Sequence, residues 1–219
     1  LKKKLFLPIF FLALFLPIVT GCTSKTQTNT SNTATTTSQT EQPQLTTFED
    51  TQVSDRALSD WEGSWKSIYP YLKSGALDSV FKEKAKKSSD KNFEEYKKYY
   101  SVGYKTTTEK IDIYKDKISF YTDNHWQNGS YQYVGYKILT YESGSKGVRY
   151  LFSKIAGDEL APTSVQFSDH LIQSEKSAHF HLFFGNESHD ELLKEMDNWP
   201  TYFPSSASES SIVHDLLHH

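Results

Sequence analysis

The chain has 219 residues, and setting aside a leader and a linker leaves roughly 170, a length that suits one folded domain. Aromatic residues make up 15% of it, with fourteen Tyr and fourteen Phe, which favours strands and supplies a core. A formal net charge of −3 excludes general nucleic-acid binding, which needs a basic face.

Residues 1–22 read as a targeting segment. Lys2, Lys3 and Lys4 precede an apolar run over 5–19 that is interrupted by Pro8 and Pro17. That run falls short of the ~20 clean apolar residues a spanning helix needs. Gly21 directly before Cys22, the only cysteine, resembles a bacterial lipobox, so Cys22 is the expected lipidation site and anchors the chain to a membrane. With that thiol acylated, no disulfide and no thiolate ligand is left to the domain. Residues 23–47 are rich in Ser, Thr, Asn and Gln with almost no large apolar side chain, which predicts a disordered tether. The tether holds no histidine, so it offers no metal-collecting arm. The folded domain is expected over 48–219.

Ser59-Asp60-Trp61-Glu62 has the S-x-x-E capping pattern, and Trp61, Trp65, Ile68, Tyr69 and Leu72 follow at helical spacing. This predicts an amphipathic helix, bent in its last turn by Pro70 and ended by Gly75. Its Trp pair reads as core packing rather than a carbohydrate platform. Two further helices are expected over 78–87 and 92–100, with their lysines on a solvated face.

From Lys105 the period changes from helical to two. Strands are predicted over 106–114 and 117–122, then a polar loop over 123–130, a long strand over 131–141, a turn at 144–147 and a strand over 148–155. Next come 165–170 and 179–184, read as a hairpin joined through 173–177. Six or seven strands in sequential meander suit an up-and-down barrel, which removes free edges by closing on itself. Ser188 to Glu191 repeats the capping pattern and opens a helix that stops before Pro200. A last helix is expected over 209–217.

The hairpin carries the chemistry. Along its second strand His179, His181 and Phe183 share one face, while Ala178, Phe180, Leu182 and Phe184 share the other. Gln166, Ser168 and His170 share a face of the first strand, and one register sets His170 opposite the pair. Three imidazoles facing one point make a metal site with an open fourth position, each ligating at about 2.0–2.1 Å. On local pattern alone these residues read equally well as the polar face of an amphipathic strand. In such a barrel the inward face could hold the cluster beneath a mouth. His125 falls in a polar loop, His189 opens a helix, and His214, His218 and His219 lie at the C-terminal end; none of these is given a role.

Five segments occur in a fixed order: LSDWEGSWKSIYPYLKSGALD at 58–78, YKILTYESGSKGVRYLF at 136–152, VQFSDHLI at 165–172, SAHFHLFFGN at 177–186 and LLKEMDNWPTYFP at 192–204. Together they resemble the ZinT (YodA) family of extracytoplasmic zinc-binding proteins, over most of the chain beyond the tether. The same module occurs fused behind solute-binding domains of zinc ABC importers. The resemblance implies a mainly β, calycin- or lipocalin-like barrel with flanking α-helices. It also implies that the D-H…H-F-H pattern holds Zn²⁺ through His170, His179 and His181. A zinc ABC importer, or its solute-binding protein, is the partner it implies.

Three neutral imidazoles leave the ion's double charge uncompensated, so a nearby carboxylate would help. Glu109, on a strand, and Asp169, beside His170, are candidates, with Asp169 alternating to the opposite face and so suited to a supporting role behind the ligands. Imidazole ligands also suit Cd²⁺, Ni²⁺ or Cu²⁺. Two other functions compete with zinc capture. A zinc hydrolase would use a metal-bound water at the fourth position, but the chain has no H-E-x-x-H, no G-x-S-x-G and no phosphate-binding glycine loop. A carrier of an apolar ligand fits the barrel and leaves three histidines unexplained. The resemblance implies binding rather than catalysis: a lipid-anchored, extracytoplasmic protein that captures zinc for an importer, with the zinc hydrolase and the apolar-ligand carrier as the alternatives.

Overall fold

The computed structural model describes residues 48–141 and 144–218. The expected leader with Cys22, the tether and His219 lie outside these residues. Eight antiparallel strands form a closed barrel in sequence order. They are β1 (Gly63–Ser67), β2 (Thr108–Tyr114), β3 (Lys117–Thr122), β4 (His125–Thr140), β5 (Lys146–Gly157), β6 (Ser164–Ser168), β7 (Phe180–Gly185) and β8 (Thr201–Pro204). Each strand pairs with the next, and β8 returns to β1 through Trp65↔Pro204 and Lys66↔Phe203. The up-and-down, lipocalin-like architecture is as expected, with one or two strands more than the pattern revealed.

The first of the added strands is β1. Residues 61–72 do not form one helix. A 3₁₀ turn (Leu58–Trp61) is followed by β1 and then by the short helix α1 (Tyr69–Ser74), with Pro70 in its first turn and Gly75 closing it at φ 85°. Trp61 and Trp65 are four residues apart, an even number, so they share a face of a strand as readily as a face of a helix. Gly63 at φ 141° breaks any helix between them. The reading of 123–130 as a loop is also corrected. Only Asp123 and Asn124 turn, both with positive φ (50° and 65°), and Thr122↔His125 already pairs. A two-residue turn of this hand matches the natural twist of the strands it joins.

Inward side chains fill the barrel. Trp61 stacks on Phe167 at 4.6 Å, Phe152 meets Trp61 edge-on at 5.9 Å, and Phe180 packs against Trp65 at 4.7 Å. An eight-stranded barrel is just wide enough for such filling. These rings occupy the space in which an apolar-ligand carrier would hold its cargo. A second core lies outside the wall. There α2 (Asp78–Lys87), α3 (Phe93–Gly103) and α5 (Glu209–His218) bury Val80, Phe81, Tyr104, Ile212 and Leu216 around Phe203 of β8. The helix expected after Ser188 is one turn only, α4 (His189–Leu192).

Candidate metal centre

Strand β7 alternates as the pattern requires. Phe180 and Leu182 point into the barrel and are fully buried, so His179, His181 and Phe183 point outward. The histidine cluster therefore sits on the outer face of the wall, beneath the helices, and not inside the barrel. The inward face could not hold it, because aromatic packing has already filled that space.

The structure brings His170, His179 and His181 together. Their ring centroids are 5.3 Å apart for His170–His181, 5.9 Å for His170–His179 and 6.1 Å for His179–His181. Three imidazoles approaching one ion tetrahedrally, with nitrogens at 2.0–2.1 Å, would have centroids about 5.2 Å apart. The trio is thus open by up to roughly 1 Å relative to that geometry. As placed, no group of three or more His, Cys, Asp or Glu among the described residues could hold a metal ion, so the three rings must draw together to ligate one.

Each ring is held differently. His181 lies on β7 opposite Thr201 of β8. Its Nδ1 is 2.7 Å from Thr201 Oγ1, and that hydroxyl donates to the Trp199 carbonyl at 3.0 Å. The hydroxyl proton is therefore used, the His181 Nδ1–H is the donor, and the lone pair resides on Nε2. His179 directly precedes β7 and stacks on Phe203, with centroids 4.8 Å apart and planes 16° from parallel. Its Nδ1 lies 3.3 Å from Asp215 Oδ2 of α5, which places a carboxylate beside the ring. Ligating histidines commonly hold their second nitrogen in this way, against a carboxylate or another acceptor.

His170 is not on a strand. It follows β6 in a left-handed conformation at φ 65°, one of the few outside glycine. Asp169 fixes it there. The Asp169 carboxylate accepts from Arg56 Nη1 at 2.6 Å and from Trp61 Nε1 at 3.0 Å, fully buried on the side away from the rings. Arg56 also bonds Asp60 at 2.9 Å and the Glu175 carbonyl at 2.8 Å. The Ser177 N–H donates to the Asp60 carbonyl at 2.9 Å. The segment that ties down the β6–β7 connection is thus 54–60. Burial pushes the His170 imidazole down to about 4, so it stays neutral, the form that ligates.

Of the two carboxylates proposed from sequence, Asp169 stands behind the rings, on the opposite face as its alternation implied, and Glu109 does not face them. Asp169 works as an anchor, and Glu109 is exposed on β2, which neighbours β1 and β3. The acid beside the trio is Asp215, which sequence reasoning missed. The only hint was a lone acidic residue between apolar positions of the last helix. His125 and His189 are elsewhere. His125 is exposed with Nδ1 at 2.8 Å from the Asp123 carbonyl, and His189 bridges Ser153 at 3.0 Å and Gln166. A cavity of about 650 Å³ opens beside His170 and His181, walled by Tyr99, Arg149, Phe183 and Trp199 among others.

A family model described as ZinT (YodA) periplasmic lipocalin-like zinc-recruitment matches residues 39–219. A probable metal-binding protein, YrpE of Bacillus subtilis, is 46% identical over 172 residues, covering 78% of this chain and 68% of that one. The zinc-binding lipoprotein AdcA of Streptococcus pneumoniae is also 46% identical over 172 residues, but the match spans only 34% of AdcA. The crystal structure of the Zn(II)-bound ZinT-like domain of that AdcA superposes with a TM-score of 0.77 at 45% identity, covering 81% of this chain and 99% of that domain. Zn(II)-bound AdcA itself gives 0.78 at 45% identity, covering 82% of this chain and 39% of that one.

Proposed function

The chain belongs to the ZinT (YodA) family, and from that premise we propose that it captures Zn²⁺ as cargo through His170, His179 and His181. The observation that carries this reading is the meeting of three rings at 5.3–6.1 Å, two of them with Nδ1 beside an oxygen. At His181 that arrangement leaves the Nε2 lone pair for the ion, and Asp215 offsets part of its charge. The fourth position opens toward the neighbouring cavity, where a water or a partner's ligand completes the shell.

The wider role follows the same premise. A leader over 1–22 ending in an acylated Cys22, a tether over 23–47 and a metal-binding domain over 48–219 would make an extracytoplasmic, membrane-anchored lipoprotein. A tether keeps a domain at high effective concentration near its partner. The partner is a zinc ABC importer or its solute-binding protein, in keeping with relatives named zinc-binding lipoproteins. Binding without turnover is the activity, with Zn²⁺ preferred and Cd²⁺, Ni²⁺ and Cu²⁺ as chemically acceptable substitutes. Calorimetric Zn²⁺ titration of the wild type beside His179→Ala/His181→Ala tests the site. One tight equivalent lost in a folded variant supports it, and equal binding by both rejects it.

A further inference from the structure

Helix α5 carries more histidine chemistry than the contact of Asp215 with His179 accounts for. His214 and His218 are four residues apart on this helix, both exposed, with ring centroids 4.3 Å apart. Residues at i and i+4 lie one above the other on a helix, and two histidines at this spacing can share one zinc ion. His218 Nδ1 is 2.7 Å from the His214 carbonyl. A carbonyl oxygen only accepts, so Nδ1 carries the proton and Nε2 keeps its lone pair. This is the backbone-fixed tautomer that ligating histidines commonly use.

We infer that His214 and His218 form a second cation site, separate from the trio, which takes Zn²⁺ or another late first-row divalent ion through Nε2 atoms, with water at the remaining positions. Two rings sharing an ion at 2.0–2.1 Å tetrahedrally have centroids about 5.2 Å apart, so the pair needs to open by roughly 1 Å. Both side chains are exposed at the surface. The pair also lies at the C-terminal end of α5, where the helix dipole favours positive charge. Lys87, whose Nζ is 3.5 Å from the Leu217 carbonyl, brings a competing positive charge. With two protein ligands in place of three, and that lysine nearby, this site is the weaker one. Because Asp215 of the same helix faces His179, an ion collected at the pair is held on the element that also braces the trio.

The test is equilibrium dialysis of the full chain against Zn²⁺ alone, with His214→Ala/His218→Ala and His179→Ala/His181→Ala in parallel. Two equivalents are expected in the wild type, one tight and one weaker. The α5 variant should lose the weaker equivalent and keep the tight one, and the β7 variant should do the reverse. A wild type that takes one equivalent, or an α5 variant that keeps both, overturns the inference. Retention of the weaker step by the β7 variant separates this result from failure of the three-histidine reading. Melting in chelator checks that the α5 variant folds, and His214→Gln/His218→Gln provides a second version without change of fold. Amide exchange gives an independent readout: the second equivalent should slow exchange along Glu209–His218 in the wild type and not in the α5 variant.

Discussion

Asp169 and Arg56 form a buried ion pair at 2.6 Å, 113 residues apart in sequence and directly behind His170. Arg56 also lies 4.1 Å over the Trp61 ring, so the anchor of the metal loop is built into the barrel's core. Removing Arg56 leaves the Asp169 carboxylate buried without its cation, which typically costs about 3–5 kcal/mol, whereas Asp169→Ala leaves Arg56 still paired with Asp60 and the Glu175 carbonyl. Asp169→Ala should therefore lower unfolding free energy in urea by less than that amount. It should also weaken Zn²⁺ binding at least about tenfold under conditions where the variant remains folded, because His170 loses its fixed backbone. Loss of stability with unchanged zinc affinity would show that the anchor does not position the ligand.

Asp215 and Thr201 make a different prediction. They touch His179 and His181 at Nδ1 while lying partly or wholly outside the barrel core. Removing such a partner commonly costs about 10–100-fold in metal affinity. Asp215→Asn and Thr201→Val should each weaken zinc binding within that range, with the apoprotein's melting temperature moving far less than in Asp169→Ala. Calorimetry for affinity and a chelator-treated melt for stability separate the two effects.

The buried imidazole of His170 sets a pH dependence for the apoprotein. Its folded value is about 4, below its ordinary 6.5. The unfolded chain thus binds a proton that the folded chain refuses, and stability rises with pH across this window. The contribution is fully present above pH 6.5 and is lost as pH falls toward 4. It amounts to about 3 kcal/mol, at 1.36 kcal/mol per pH unit. Urea unfolding in chelator between pH 7.5 and 4 should show a steeper decline for the wild type than for His170→Gln. Parallel declines would contradict this.

Much of the site was legible because its signals are local. The alternation of β7 follows from period two, and Asp-His with His-x-His marks His170, His179 and His181 as candidates, although local pattern alone left them equally readable as a polar strand face and the family resemblance singled them out. Which side of the wall they occupy was not legible. That depends on whether Phe180 and Leu182 or the histidines face the barrel, and the answer lies in the bulk of Trp61, Phe152 and Phe167, brought in from distant strands. Asp215 and Arg56 were missed for the same reason, since each reaches its partner only through tertiary packing. The strand β1 was hidden by an even spacing of tryptophans that two periods share, and the Asp123-Asn124 turn was read too long because the start of β4 is polar.

One zinc ion is expected among the three outward-facing imidazoles. Crystals of the zinc-loaded protein, measured on both sides of the zinc absorption edge, address it directly. An anomalous peak is expected at about 2.0–2.1 Å from Nε2 of His170, His179 and His181. The centroid separations should draw in from the present 5.3–6.1 Å. A peak elsewhere, with these rings unmoved and unligated, would contradict it.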